Sequence, residues 1–275
     1  MPIGVGKVLR HRYELQGLLG EGGLGAVYKA LDRLRADLPP TEQHVAIKLL
    51  RDSGQASAGP LGELMRECRL AQSLSHPNIV RVYDVDRDGE CAFLVMELLR
   101  GMSLRRLLQD LPERRLRIPD ALAVIRDVGA AVAYSHSRHV IHGDLKPANV
   151  MLDYDGTVRV LDFGVSRRWR REPWISDHAP GSASGGLTPL YASCEQLDGQ
   201  QTEPRDDLYA LGCIAYELLA GEHPYGRHIA TEAQRLEIRV ARPPGLTGKP
   251  WRALRCALAF DRDARPSSVL EWISA

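Results

Sequence analysis

Apolar and polar residues alternate over residues 13–19 and again over 26–31, which predicts two strands around a glycine-rich turn. An apolar run at 45–50 predicts a third strand, after a polar insertion at 35–43 that carries Pro39 and Pro40. The spacing predicts a helix over 61–73, following a flexible loop at 53–60. His76-Pro77-Asn78 breaks the chain before two further strands at 79–84 and 91–96. Glu97-Leu98-Leu99-Arg100-Gly101 reads as a hinge, and beyond it the pattern becomes mostly helical. Helices are predicted over 103–111, 119–136, 206–220, 231–238, 250–259 and 267–274. The fold class is therefore α+β, with a strand-rich first part and a helical second part.

Length and charge narrow the partners. A chain of 275 residues with 44% hydrophobic content can bury a sizeable core as one large domain or two lobes. Its net charge of +1 gives no reason to expect nucleic acid or an anionic membrane as partner. Five cysteines, none in a Cys-x-x-Cys pair, read as reduced thiols in a cytosolic setting. The first ten residues lack the apolar core of a signal peptide, no apolar run is long enough to span a membrane, and no internal repeat is visible.

The densest chemistry lies in His142-Gly143-Asp144-Leu145-Lys146-Pro147-Ala148-Asn149. Pro147 rules out a regular helix through its middle, so the segment is a loop, and a loop with this content is a candidate site. Strands at 150–152 and 158–161 around Asp155-Gly156 form a hairpin, which brings Asn149 and Asp162 side by side. An amide oxygen and a carboxylate converging beside Asp144 fit a Mg²⁺ site that holds nucleotide phosphates.

Upstream, Gly20-Glu21-Gly22-Gly23-Leu24-Gly25 is weak evidence taken alone, and an ordinary hairpin turn is its plain alternative. Its continuation alternates as a strand, which argues against a Rossmann turn, and no Gly-Lys-Ser/Thr follows as in a Walker loop. Lys48, inside an apolar strand, needs a partner to offset desolvation. Glu67 on the predicted helix is the preferred one; Glu63, one turn away, reads as a solvated residue. The stretch 165–187, rich in Arg, Ser and Gly without periodicity, is expected to be a mobile functional loop.

With the glycine loop, Val45-Ala46-Ile47-Lys48, His142-Gly143-Asp144, Asp162-Phe163-Gly164 and Thr188-Pro189-Leu190-Tyr191-Ala192-Ser193-Cys194-Glu195 in this order, the chain resembles a eukaryotic-type protein Ser/Thr kinase, most like bacterial members. The resemblance covers about residues 10–275. It implies a bilobal fold: an antiparallel sheet with one main helix at about 10–97, a hinge at 97–101, a helical lobe at 102–275 and an activation segment at 162–195.

The same resemblance implies roles. Lys48 would pair with Glu67 and hold the α/β-phosphates of ATP under the loop of Gly20, Gly22 and Gly25. Asn149 and Asp162 would ligate Mg²⁺, with Mn²⁺ as the alternative metal. Asp144 would accept or orient the proton of a substrate hydroxyl, Lys146 would face the γ-phosphate, and Thr188 would brace both. Adenine would hang on the backbone of Glu97 and Leu99 behind Met96, between Val27, Ala46 and Met151. His142 and Phe163 would stack with Ala71 and Val82 in an apolar column, so His142 reads as a core histidine. Asp207 would anchor the catalytic loop, and Glu195 would pair with Arg265. The partners implied are proteins carrying Ser or Thr, phosphorylated by a cytoplasmic protein or the cytoplasmic domain of a longer one.

Two departures stand out: Cys194 where Pro usually precedes Glu195, and Gly143 where Arg is frequent. His-Gly-Asp also occurs in kinase-like small-molecule phosphotransferases, and a catalytically dead scaffold is the third reading. The first is not expected to carry Asp-Phe-Gly with a 188–195 substrate segment. The second lacks a lesion among Lys48, Glu67, Asp144, Asn149 and Asp162.

Overall fold

The computed structural model describes residues 4–22, 25–50, 71–89, 91–163 and 189–274. Glu63, Glu67, Gly164, Thr188, the expected loop at 165–187 and the predicted helix up to residue 70 lie outside them. The described residues divide into two units, one from those up to Ser75 together with those within Val80–Arg100, the other from His76–Ile79 together with those from Gly101 onward.

The first unit is an antiparallel sheet of β1 (Val8–Leu9), β2 (Tyr13–Gly22), β3 (Gly25–Asp32), β4 (His44–Leu50), β5 (Val82–Asp88) and β6 (Cys91–Glu97), in the order β1-β2-β3-β4-β6-β5. The pleat sends alternate side chains to opposite faces. Leu15, Tyr28, Ala30, Val45, Ile47, Leu49, Phe93 and Val95 pack together with Leu9 and Tyr13 as the core of this unit. The other face follows from the register. Val27 stands opposite Lys48, Lys48 opposite Leu94, and Ala46 opposite Met96. Arg12 fixes the base of the β2–β3 hairpin, reaching the fully buried Asp32 carboxylate with two bonds of 2.7 Å.

The strand expected at 79–84 is displaced in the structure to Val82–Asp88. The Ile79 N–H turns back to the His76 carbonyl at 3.0 Å, and the Asn78 carbonyl accepts from Val160 N–H at 2.8 Å. Residues 76–79 are thereby spent on a turn and a bridge within the second unit. The strand then runs on through Asp84, Asp86 and Asp88, residues that disfavour sheet interiors and are tolerated here because β5 is an edge.

In the second unit, β7 (Gly101–Ser103), β8 (Val150–Asp153) and β9 (Val158–Val160) form a small antiparallel sheet. The helices of this unit are α1 (Leu104–Asp110), α2 (Ile118–Ser137), α3 (Cys194–Leu197), α4 (Pro204–Ala220), α5 (Ala230–Arg235), α6 (Gly248–Ala257) and α7 (Val269–Ile273). Helix α4 is the axis of this unit, buried on nearly every side from Asp206 to Leu219. It starts two residues earlier than expected because Pro204 occupies its first turn and Glu203 and Asp206 form a capping box. It stops at Gly221, whose φ of 85° closes the helix, and a Cβ there would stand 2.5 Å from the Glu113 carbonyl oxygen. Helix α5 is shorter than expected, since Glu237 takes a φ of 51° and turns the chain out of the helix. Helix α6 begins at Gly248 and ends at Ala257, and α7 spans Val269–Ile273 with Ser268 as its cap. The thiols of Cys194 and Cys213 are buried, that of Cys91 is partly covered and that of Cys256 is exposed.

Candidate active site

The loop after α2 is held from beneath by one carboxylate. Asp207, on the first turn of α4, accepts from the backbone N–H groups of both His142 and Gly143 at 2.8 Å. The Nε2 of His136 lies 2.7 Å from the same carboxylate. Burial works against the charge of Asp207, but the His136 contact, the nearby imidazoles and the Gly143 amide outweigh it and hold the carboxyl below its usual range.

His142 is fully buried. Its Nε2 donates to the Leu161 carbonyl at 2.8 Å, its Nδ1 accepts from Asp144 N–H at 3.3 Å, and its ring lies 4.9 Å from that of Phe163. Both nitrogens are engaged by main chain, so His142 is a core side chain rather than a base. Gly143 sits at a φ of 76°, a conformation any side chain would strain.

Asp144 is 5% exposed and accepts from the Lys146 ammonium at 2.6 Å. Pro147–Asn149 forms a 3₁₀ turn that folds Asn149 back, so that its Nδ2 donates to the Asp144 carbonyl at 2.9 Å. Leu161 N–H bonds the Asn149 carbonyl at 2.8 Å, which brings Asp162 beside the turn. Asp162 itself has a φ of 61°, a backbone state that is costly without surrounding support. Met151 lies in β8 between Ser103 and Arg159.

In the first unit, Val27, Ala46, Lys48 and Met96 share the sheet face opposite the core, and Gly20 pairs with Val27 across the hairpin. Lys48 is only 4% exposed. Gly22 and Gly25 close the register of the same hairpin. Glu97 N–H donates to the Arg81 carbonyl, while its carboxylate accepts from Arg81 N–H, which ends the β6 ladder just before Leu99. Glu67 and Thr188 lie outside the described residues.

A second cluster joins α3 to the end of the chain. Arg265 donates to Glu195 at 2.8 Å, and Arg262 donates to the buried Asp206 at 2.9 Å. Ser193 Oγ donates to Asp206 at 2.8 Å and caps α3 in a reciprocal box with Gln196. Cys194, at the position where Pro is usual, is buried with its Sγ 3.7 Å from Gln234 Oε1, and α3 forms without distortion around it. Burial pushes the Cys194 thiol up to about 11. His136, Gln196, Asp206 and Arg262 are participants that sequence reasoning passed over. The Ser193-x-x-Gln196 spacing is a capping-box signature that could have revealed one of them.

The family model for the protein kinase domain matches residues 13–252. The chain belongs to the protein kinase domain family. It is similar to the serine/threonine-protein kinase PrkC of Bacillus subtilis, 30% identical over 248 residues, covering 90% of this chain and 36% of that protein. A probable serine/threonine-protein kinase of Streptomyces coelicolor, SCO3848, is 37% identical over 222 residues, covering 78% of this chain and 31% of its own length. The chain thus spans about a third of the length of these relatives and about half of others such as the serine/threonine-protein kinase PknA of Mycobacterium tuberculosis. Among solved structures, the Mycobacterium tuberculosis PknI kinase domain superposes with a TM-score of 0.74 at 24% identity, over 99% of this chain and 98% of that one, a likeness of fold.

Proposed function

We propose that this chain is the catalytic domain of an ATP-dependent protein kinase that phosphorylates Ser and Thr hydroxyls of other proteins. The observation that carries the reading is the buried Asp144 carboxylate, bonded to Lys146 at 2.6 Å on a loop whose main chain Asp207 clamps. A buried carboxylate fixed on a rigid loop is suited to accept the proton of an attacking hydroxyl. The adjacent ammonium is suited to follow the charge of the transferred phosphoryl group. The bond to the γ-phosphorus forms from the hydroxyl oxygen, the β–γ bridge breaks, and the proton passes to Asp144.

On this reading the face with Val27, Ala46, Lys48 and Met96 takes the nucleotide, the main chain of Glu97 and Leu99 takes the adenine edge, and Met151 contributes from β8. Gly20, Gly22 and Gly25 let backbone amides approach phosphate, with Glu67 pairing Lys48 and Thr188 bracing Asp144 and Lys146. The donor set also fits a hard cation. The Asn149 amide nitrogen is committed to Asp144, so its oxygen is the atom that can face Mg²⁺ or Mn²⁺, together with the carboxylate of Asp162. Phosphate oxygens of the nucleotide would complete the coordination of such an ion. Bound there, the cation would neutralise charge on the phosphates. Domain limits follow the same reading: a first lobe at about 10–97, a hinge at 97–101, a second lobe at 102–275 and an activation segment at 162–195.

The test is transfer of labelled γ-phosphate to a generic protein substrate, with an aminoglycoside panel beside it. Phosphoserine and phosphothreonine on the protein are expected. Label on an aminoglycoside instead would make the chain a small-molecule phosphotransferase, and no transfer to either would make it a scaffold.

A further inference from the structure

The main chain of Gly143 is gripped on both sides. Its N–H goes to Asp207 at 2.8 Å, and its carbonyl accepts from Gln196 Nε2 at 3.1 Å. Gln196 is 4% exposed, and its Oε1 is fixed by Ser193 N–H at 3.2 Å, so the carboxamide has one orientation. Ser193 is in turn bonded to Asp206 of α4. The Gly143 carbonyl belongs to the peptide whose nitrogen is that of Asp144, so a shift of this carbonyl rotates the backbone from which the Asp144 carboxylate projects.

We propose that Gln196 is a positioning residue for Asp144, its side-chain amide joining helix α3 to the main chain of the catalytic loop. The proposal rests on the reading of Asp144 as the proton acceptor. Glycine at 143, free of a side chain, has the widest backbone freedom of any residue type, and hydrogen bonds on both its N–H and its carbonyl remove that freedom. The join uses neither a charged side chain nor a phosphate, so α3 and the loop are registered in the unmodified protein.

Gln196→Met keeps length and apolar contact but deletes both hydrogen bonds. It is expected to lower kcat about tenfold or more while leaving nucleotide affinity, read with a fluorescent nucleotide, unchanged. Asp144→Asn is run in parallel: full activity there would sink the reading of Asp144, whatever Gln196 does. An inactive Asp144→Asn beside a Gln196→Met with wild-type kcat would overturn the positioning role.

Gln196→Glu keeps the proposal testable should the methionine variant fold poorly. A protonated carboxyl can donate to the Gly143 carbonyl as the amide does; a carboxylate cannot. The charged groups around this side chain are Asp144 with Lys146, Asp206 with Arg262, Asp207 with His136, and Glu195, adjacent in the chain, with Arg265. The ratio of kcat for Gln196→Glu to that of the parent protein should therefore fall as pH is raised from about 6 to 9.5. A ratio independent of pH would overturn the role of the donor.

Discussion

Arg265 meets Glu195 at 2.8 Å with its guanidinium wholly buried. The remaining donors of Arg265 go to the carbonyls of Ala259, Phe260 and Arg205 and, at 3.5 Å, to Asp206 Oδ1, and the second Glu195 oxygen accepts from Arg262 N–H at 2.7 Å. Loss of Glu195 leaves the buried Arg265 with only the longer contact to Asp206, and loss of Arg265 leaves Glu195 without its counter-charge.

Glu195→Ala and Arg265→Met should each cost on the order of 3–5 kcal/mol of stability. Arg265→Lys should recover little, because an ammonium cannot fill a planar fork. Thermal or urea unfolding measures this directly, and unchanged curves would show that the pair contributes nothing.

Acid should weaken the second unit through two carboxyls. Burial opposes the charge of both Glu195 and Asp207, but Arg265 and His136 respectively prevail and hold each below its ordinary value. A depressed folded pKa gives stability that is complete above the unfolded value, near 4.5 for Glu195 and 3.8 for Asp207, and is lost as pH falls through the folded one. Urea midpoints measured from pH 7 to 3 should drop most steeply below pH 4.5, and Glu195→Gln should flatten that slope. Asp207→Asn should also lower activity, since its amide cannot accept from both loop N–H groups as the carboxylate does, at a cost of about 1–3 kcal/mol.

Lys48→Met and Asp162→Asn should abolish phosphoryl transfer in proteins that still fold. Asparagine is the cleaner replacement at 162 because it tolerates the φ of 61° that alanine would strain. Wild-type turnover by purified Asp162→Asn would remove that residue from the metal site.

Gly143→Ala should destabilise the protein by about 1–2 kcal/mol through its left-handed backbone. Because residue 143 offers no guanidinium to a loop phosphate, replacing Ser176, Ser182 and Ser184 together by Ala should change the rate less than about threefold, under ~0.7 kcal/mol of barrier. A hundredfold fall, restored by acidic replacements, would mean that the loop works as a phosphate switch.

Periodicity in the sequence located the strands around Lys48 and the helices around Asp207, because apolar repeats report which face is buried. Motif order supplied the family. What escaped was long-range polar pairing. His136 lies 71 positions from Asp207, and Gln196 lies 53 from the Gly143 carbonyl, so no local pattern announces either contact. The limits of β5 were missed for a different reason: alternating aspartates suit an exposed edge strand, yet they are among the residues depleted in strands, so the expected strand stopped at 84.

The unequal burial of the thiols makes a clock of the second unit. Cys213 lies inside helix α4 with its thiol pushed up by burial, whereas Cys256 stands at the surface of α6. An alkylating reagent should therefore tag Cys256 from the folded protein and reach Cys213 only when α4 is laid open. Read site by site by mass spectrometry, the delay between the two tags gives the opening rate of this core without denaturant, and each variant above can be ranked on it.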